Sequence, residues 1–230
     1  MKRPRPSSFA MKQVMAVTGF IFVAFVFIHM IGNLKVFQGP EAFNGYATWL
    51  REVGYPLVPK QGVLWALRVV LAGSLLAHMW AALVLWARGR KARGSHRRRG
   101  FKTSSAYGAL LMLPTGLITF VFIVVHLLDL TIGALLQTTD FRHAAPDGTA
   151  FAYENLVASF SRPWMAAFYI VVMVLLAIHI EHGWRTMLQD IGATGRRFRK
   201  FWTIVGGIIA LVIVIANGAI PALVLAGVIA

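Results

Sequence analysis

Five apolar runs, each over twenty residues long and holding at most two charges, decide what this chain can fold into. A bilayer core takes roughly 20 mainly apolar residues per helix. The runs at residues 14–36, 63–87, 107–133, 164–187 and 203–228 all meet that length. The strands of a membrane barrel are about half as long and alternate in polarity; these do neither. Composition agrees. Charged residues make up 13% of the chain against about 25% in soluble domains, so most of it cannot face water. The expected fold is an all-α membrane protein, a bundle of five transmembrane helices forming one domain over residues 1–230. The length leaves no room for a separate soluble catalytic domain.

The net charge of +15 would suggest nucleic acid in a soluble protein, but its placement points elsewhere. The N-terminal tail, the connection RGRKARGSHRRRGFK at residues 88–102 and the connection at 188–202, with Arg185 beside it, hold 17 of the 23 Lys and Arg. The other six are Lys35, Arg51, Lys60, Arg68, Arg142 and Arg162. By the positive-inside rule the basic side is cytoplasmic. The N-terminus is therefore expected inside and the C-terminus outside, in a membrane crossed several times. The excess charge is topology, with anionic lipid or an acidic partner as a second use, and nucleic acid is not an expected partner. The basic N-terminal segment precedes an apolar run with no small-residue cleavage site, which reads as an uncleaved first helix. With no cysteine, disulfides, thiolate metal sites and iron–sulfur ligation are excluded within this chain. No internal repeat is evident from the sequence.

Ionisable groups inside a bilayer are costly, and they face a bundle interior or a functional group. Five histidines lie inside the spans: His29, His78, His126, His179 and His182. The first four spans carry at least one each and the fifth none, a distribution hard to explain as scattered interhelical glue. Depth sorts them. On the outward-running spans, His29 and His126 each lie about seven residues, roughly 10 Å, from the outer end. On the inward-running spans, His78 and His179 lie about nine and eight residues from the inner end. The expectation is two layers roughly 10 Å apart in height, His29 with His126 near the outside and His78 with His179 near the inside. Two imidazoles at one height on facing helices supply both axial ligands of a haem iron, and a planar macrocycle fits an apolar bundle. No carboxylate shares either depth, which disfavours a zinc or di-iron site. His182, at i+3 from His179, falls on a neighbouring face and is expected to meet a haem propionate or a headgroup.

The wording around these histidines carries a resemblance. HMIGNLKVFQGPEAFNGYATWLR from His29, the lone His78 in span two, His126 in span three and HIEHGW from His179 together resemble the five-helix dihaem cytochrome b anchor of succinate:quinone oxidoreductases. That family comprises succinate dehydrogenases and quinol:fumarate reductases, and the likeness is to the branch with a single membrane-anchor chain. It implies a partner flavoprotein with bound FAD and a partner iron–sulfur subunit, both on the cytoplasmic face. FAD and the clusters would belong to those partners, as would succinate chemistry. This chain would hold two b-type haems, the proximal one on His78 and His179 and the distal one on His29 and His126. Its task would be to pass electrons to or from menaquinone, with no catalytic residue of its own and with a higher oligomer of the complex possible.

The quinone site is less legible. Glu41, Glu52 and Asp129 are outer candidates, and Lys12, Gln13 and Glu181 inner ones. The resemblance favours Glu52 slightly, since some dihaem relatives have a functional acid near the start of span two. Haem propionates seek cationic partners, for which Arg162 and Lys35 suit the distal level and Arg185 or Lys12 the proximal. The rival readings are another b-type cytochrome, a transporter using histidines as a proton relay, and a haem-free anchor. In the cytochrome b of quinol:cytochrome c complexes two helices carry two histidines each, whereas here four helices contribute. The spans also lack the further buried charges and broken helix pair of a transporter.

Overall fold

In a computed structural model the chain is described over residues 6–95, 104–193 and 195–230. All regular structure among the described residues is helical, as a lipid environment demands, since a helix satisfies its own backbone polar groups. In chain order the α-helices are α1 (Ser8–Asn33), α2 (Pro40–Glu52), α3 (Gly62–Arg93), α4 (Ser104–His126), α5 (Ala152–Phe160), α6 (Pro163–Asp190) and α7 (Arg196–Leu225). A 3-10 turn (Leu34–Gln38) extends α1 and a π-helical turn (Leu127–Ile132) extends α4. Five of these helices, α1, α3, α4, α6 and α7, are long and apolar enough to cross a membrane. They correspond one for one to the five expected spans.

The helices overrun the hydropathic limits, mostly at their basic ends. Apolar counting stops where charge begins, whereas a helix stops where its cap is. Arg and Lys are good helix formers. α3 therefore runs on through Arg88, Arg90 and Lys91 until Gly94, whose φ of +59° admits no ordinary side chain. α1 starts at Ser8 because the Ser7 hydroxyl accepts from the Ala10 amide at 3.0 Å.

Two connections contain helices of their own. α2 begins with Pro40 at its first turn, after Gly39, and α5 lies against it. Asn44 ties them: its amide group donates to Glu154 at 2.9 Å and its carbonyl accepts from the Tyr153 amide at 2.9 Å. The Tyr153 hydroxyl donates to the carbonyl of Ala230 at 3.1 Å, so α2, α5 and the C-terminus form one end of the molecule. The opposite end is basic. There Lys12 pairs with Asp190 at 2.9 Å, Gln13 donates to the Asp190 carbonyl at 2.7 Å, and Arg88 reaches Ser8 and the Pro6 carbonyl. Lys2, Arg3, Arg5, Arg97, Arg98, Arg99 and Lys102, which the sequence places at that end, lie outside the described residues.

α6 is the hub. It packs closely on α7, where Trp184 lies over Gly206 and donates to the Trp202 carbonyl at 2.8 Å. One apolar cluster joins Met30 of α1 to Val172, Leu176 and Ile180 of α6 and Ile213 of α7. A second, around Phe43, Phe160, Met165 and Ile220, seals the end that carries α2 and α5. The remaining helices pair off, α1 with α3 and α4 with α6, and α1 also touches α6. No comparable packing joins α3 to α4 or α6 among the described residues. Large apolar side chains such as Leu76, Leu117, Val171 and Ile215 point outward, the surface expected of spans that face lipid.

Candidate haem-binding site

The two helix pairs place their histidines toward each other. His29 of α1 and His126 of α4 face across the bundle with ring centroids 5.9 Å apart and planes at 81°. Each ring is supported from its own helix by a phenylalanine one turn earlier: Phe25 stacks on His29 at 5.4 Å, and Phe122 on His126 at 5.7 Å. Toward the basic end, His78 of α3 meets Thr18 of α1, and His179 of α6 meets Thr115 of α4. Both pairs thus span the same divide, one histidine coming from α1 or α3 and its partner from α4 or α6.

The second nitrogen of three of these rings is engaged by a hydroxyl of the chain. Thr18 Oγ1 lies 2.9 Å from His78 Nδ1, Thr115 Oγ1 lies 3.1 Å from His179 Nδ1, and the Tyr169 hydroxyl lies 3.4 Å from His126 Nδ1. Fixing Nδ1 in this way orients the ring and leaves Nε2 as the nitrogen for a ligand, the usual device around metal-binding histidine.

A planar group held between two imidazoles fits these residues. Imidazoles on opposite sides of one metal ion, at the roughly 2 Å metal–nitrogen length usual for this ligand, have ring centroids about 6 Å apart, close to the separation of His29 and His126. Between the two histidine levels, the buried Thr119 hydroxyl has no hydrogen-bond partner among the described residues. An orphaned polar atom in an apolar bundle suits a group with polar edges nearby. No three of His, Cys, Asp and Glu gather as a metal cluster among the described residues, so the geometry is that of paired histidines.

The Thr18–His29 interval measures the distance between the levels more directly than span ends do. Those eleven residues correspond to about 16 Å of α-helix, wider than the 10 Å expected above. Counting inward from hydropathic limits compressed the estimate, because the helices extend past those limits.

Other expected residues take defined places. Asp129, 1% exposed, sits on the π-helical turn just past His126 and accepts from Ser159 at 2.5 Å and from Arg162 at 2.6 Å. Arg162 also donates to the Leu136 carbonyl at 2.7 Å, so it clamps the α4 extension to the start of α6. Lys35 lies over the Tyr46 ring, Lys12 and Gln13 hold Asp190, and Arg185 pairs with Glu181 on its own helix. Glu52 forms an exposed ion pair with Lys60 at 2.7 Å, and its hydrogen bond holds that ammonium above its ordinary pKa. Glu41 lies in the first turn of α2. His182 lies against Gly108, where an added Cβ would overlap its ring, and with Glu181, Arg185 and Arg199 it lines a cavity of about 870 Å³ at the basic end.

The structure also exposes what a search for histidines overlooks. The segments TGFIFVAFVFIH from Thr18 and TGLITFVFIVVH from Thr115 share the pattern T-G-x-I-x3-F-x3-H. The signal was a short internal repeat, hidden in apolar sequence where isoleucine and phenylalanine are common, and the Thr-Gly step gains meaning only from the ring it touches.

A family model described as the succinate dehydrogenase/fumarate reductase transmembrane subunit matches residues 87–215. The matched stretch contains His126 and His179, while His29 and His78 lie ahead of it. No curated protein and no solved structure matches the chain significantly. With that match over more than half of a chain that forms five membrane-length helices, the chain belongs to the succinate dehydrogenase/fumarate reductase transmembrane subunits.

Proposed function

We propose that this chain is the dihaem cytochrome b anchor of a succinate:quinone oxidoreductase. The observation that carries the reading is the meeting of His29 and His126 at 5.9 Å, with His78 and His179 each seated on a threonine eleven residues before one of that pair. His29 and His126 would hold a distal b-type haem, and His78 and His179 a proximal one. Haem supplies, when bound, a one-electron carrier at each level. The chain's own residues orient the rings, through the hydroxyls of Thr18, Thr115 and Tyr169 and the stacked Phe25 and Phe122. They also keep the levels dry, through the apolar clusters of α6 and α7, which lowers the local dielectric around the site.

The basic end supports a cytoplasmic orientation for the N-terminus and gives a flavoprotein and iron–sulfur subunit a cationic face to dock on. Those partners would bring FAD, the iron–sulfur clusters and succinate chemistry. The quinone partner fits best as menaquinone, as in the single-chain branch that the His29 and His179 motifs resemble. A bacterial cytoplasmic membrane is the matching location.

Haem quantified per purified chain tests the proposal. Two b-type haems per chain is the expected result. A chain without a Soret band would leave a membrane anchor only.

A further inference from the structure

Thr18 and Thr115 occupy matching places in the two copies of the T-G-x-I-x3-F-x3-H pattern, and the surrounding hydrogen bonds match as well. Thr18 Oγ1 lies 2.6 Å from the carbonyl of Val14, one turn back, and Thr115 Oγ1 lies 2.6 Å from the carbonyl of Leu111. A hydroxyl has one proton. The carbonyl can only accept, and in both copies it is the shortest contact, so the proton goes there. The oxygen therefore offers a lone pair to the histidine, and the proton of that hydrogen bond belongs to Nδ1.

The glycine of each step completes the seat. A Cβ on Gly19 would stand 3.6 Å from His78 Cε1, and one on Gly116 only 3.1 Å from His179 Cε1. The Nδ1–Cε1 edge of each ring thus rests on a Thr-Gly step of the neighbouring helix. Both threonines are buried, at 7% and 2% exposure, so water cannot readily replace them. Eleven residues are three helical turns and about 20°, so α1 and α4 each present, on one face, a seat for an inner histidine and an outer histidine.

We propose that Thr18 and Thr115 are the positioning residues of the inner pair, holding His78 and His179 with the proton on Nδ1 and the lone pair of Nε2 turned to the cofactor. This rests on the reading of His78 and His179 as haem ligands. A hydrogen-bond acceptor on the far nitrogen makes imidazole a stronger electron donor, and hydrogen bonding of that kind is one of the means by which a protein sets a haem potential. The paired threonines consequently hold the inner centre at a lower potential than unpaired imidazoles would. Among the described residues the outer pair has no such seat: His126 has the longer Tyr169 contact, and the support common to both outer rings is a stacked phenylalanine.

The test is a spectroelectrochemical titration of the purified haem-loaded chain and its Thr18→Val, Thr115→Val, Thr18→Ser and Thr115→Ser variants. Valine keeps the shape and removes the acceptor; serine keeps the hydroxyl. Each valine variant is expected to move the midpoint potential of one haem upward, the same haem in both, with the other unmoved and both serine variants close to wild type. Loss of that one haem from the valine variants alone carries the same meaning. Unmoved potentials, equal shifts in both haems, or serine variants that behave like valine would overturn the assignment. Failure of the underlying reading shows separately, as a wild-type chain that lacks two haems before any threonine is changed.

Discussion

At the level of single residues, two ion pairs near the non-basic end differ sharply in what they do. Asp129 and Arg162 form a nearly buried pair that also engages Ser159 and the Leu136 carbonyl. Removing one partner of a buried pair leaves an uncompensated charge and costs about 3–5 kcal/mol. Asp129→Ala is therefore expected to lower the thermal midpoint of the purified protein clearly, and Asp129→Asn to lower it less because it keeps some hydrogen bonds. Glu52 and Lys60 form an exposed pair, and exposed pairs contribute little; Glu52→Gln should leave the midpoint unchanged. A Glu52 variant with a large thermal loss would contradict this contrast. His29, His78, His126 and His179 were legible as candidates from the sequence, because a histidine in mid-span stands out against apolar neighbours. Thr18, Thr115 and Tyr169 were not. A hydroxyl in a span ordinarily bonds its own helix backbone, and nothing local tells the reader that its oxygen also meets a ring sixty or more residues away.

Helices show the same division between what local pattern reveals and what contact decides. The five spans follow from apolar length, and their order on the chain fixes alternate direction. α2 and α5 do not follow, because each is too short and too polar to register as a span. They become helices through Pro40 at the start of one, Asn44 linking both, and burial of Phe43 and Phe160 against the bundle end. The overrun of α1 and α3 beyond their apolar limits comes from caps and basic helix formers, which hydropathy does not count. Packing of α6 on α7 turns on one glycine. A Cβ at Gly206 would overlap the Trp184 ring, whereas one at Gly207 would meet nothing within 4 Å. Gly206→Val is expected to cost about 1–3 kcal/mol, the usual range for overpacking, and Gly207→Ala to be neutral or slightly stabilising. Thermal unfolding of the two variants side by side checks this, and equal losses would contradict it. Gly108→Ala should act more locally, by displacing His182 from the basic-end cavity, which a changed accessibility of that ring to a water-soluble histidine reagent would report.

Across the whole molecule, the arrangement is two helix pairs, α1 with α3 and α4 with α6, backed by α7 and closed at one end by α2 and α5. Each pair contributes one histidine to each level, so neither level can be completed by half of the bundle. On the proposed function, that division of histidines between four helices would give two separate centres and not a single deep site. The central claim is the pairing itself, and double replacement tests it most directly. Haem per chain would be measured by reduced-minus-oxidised spectra for His29→Ala, His126→Ala and His78→Ala, and for the double variants His29→Ala with His126→Ala and His29→Ala with His78→Ala. The account predicts one haem in each single variant, one haem still in the His29/His126 double variant, and none in the His29/His78 double variant. A His29/His126 double variant without haem, or a His29/His78 double variant that keeps one, would contradict it.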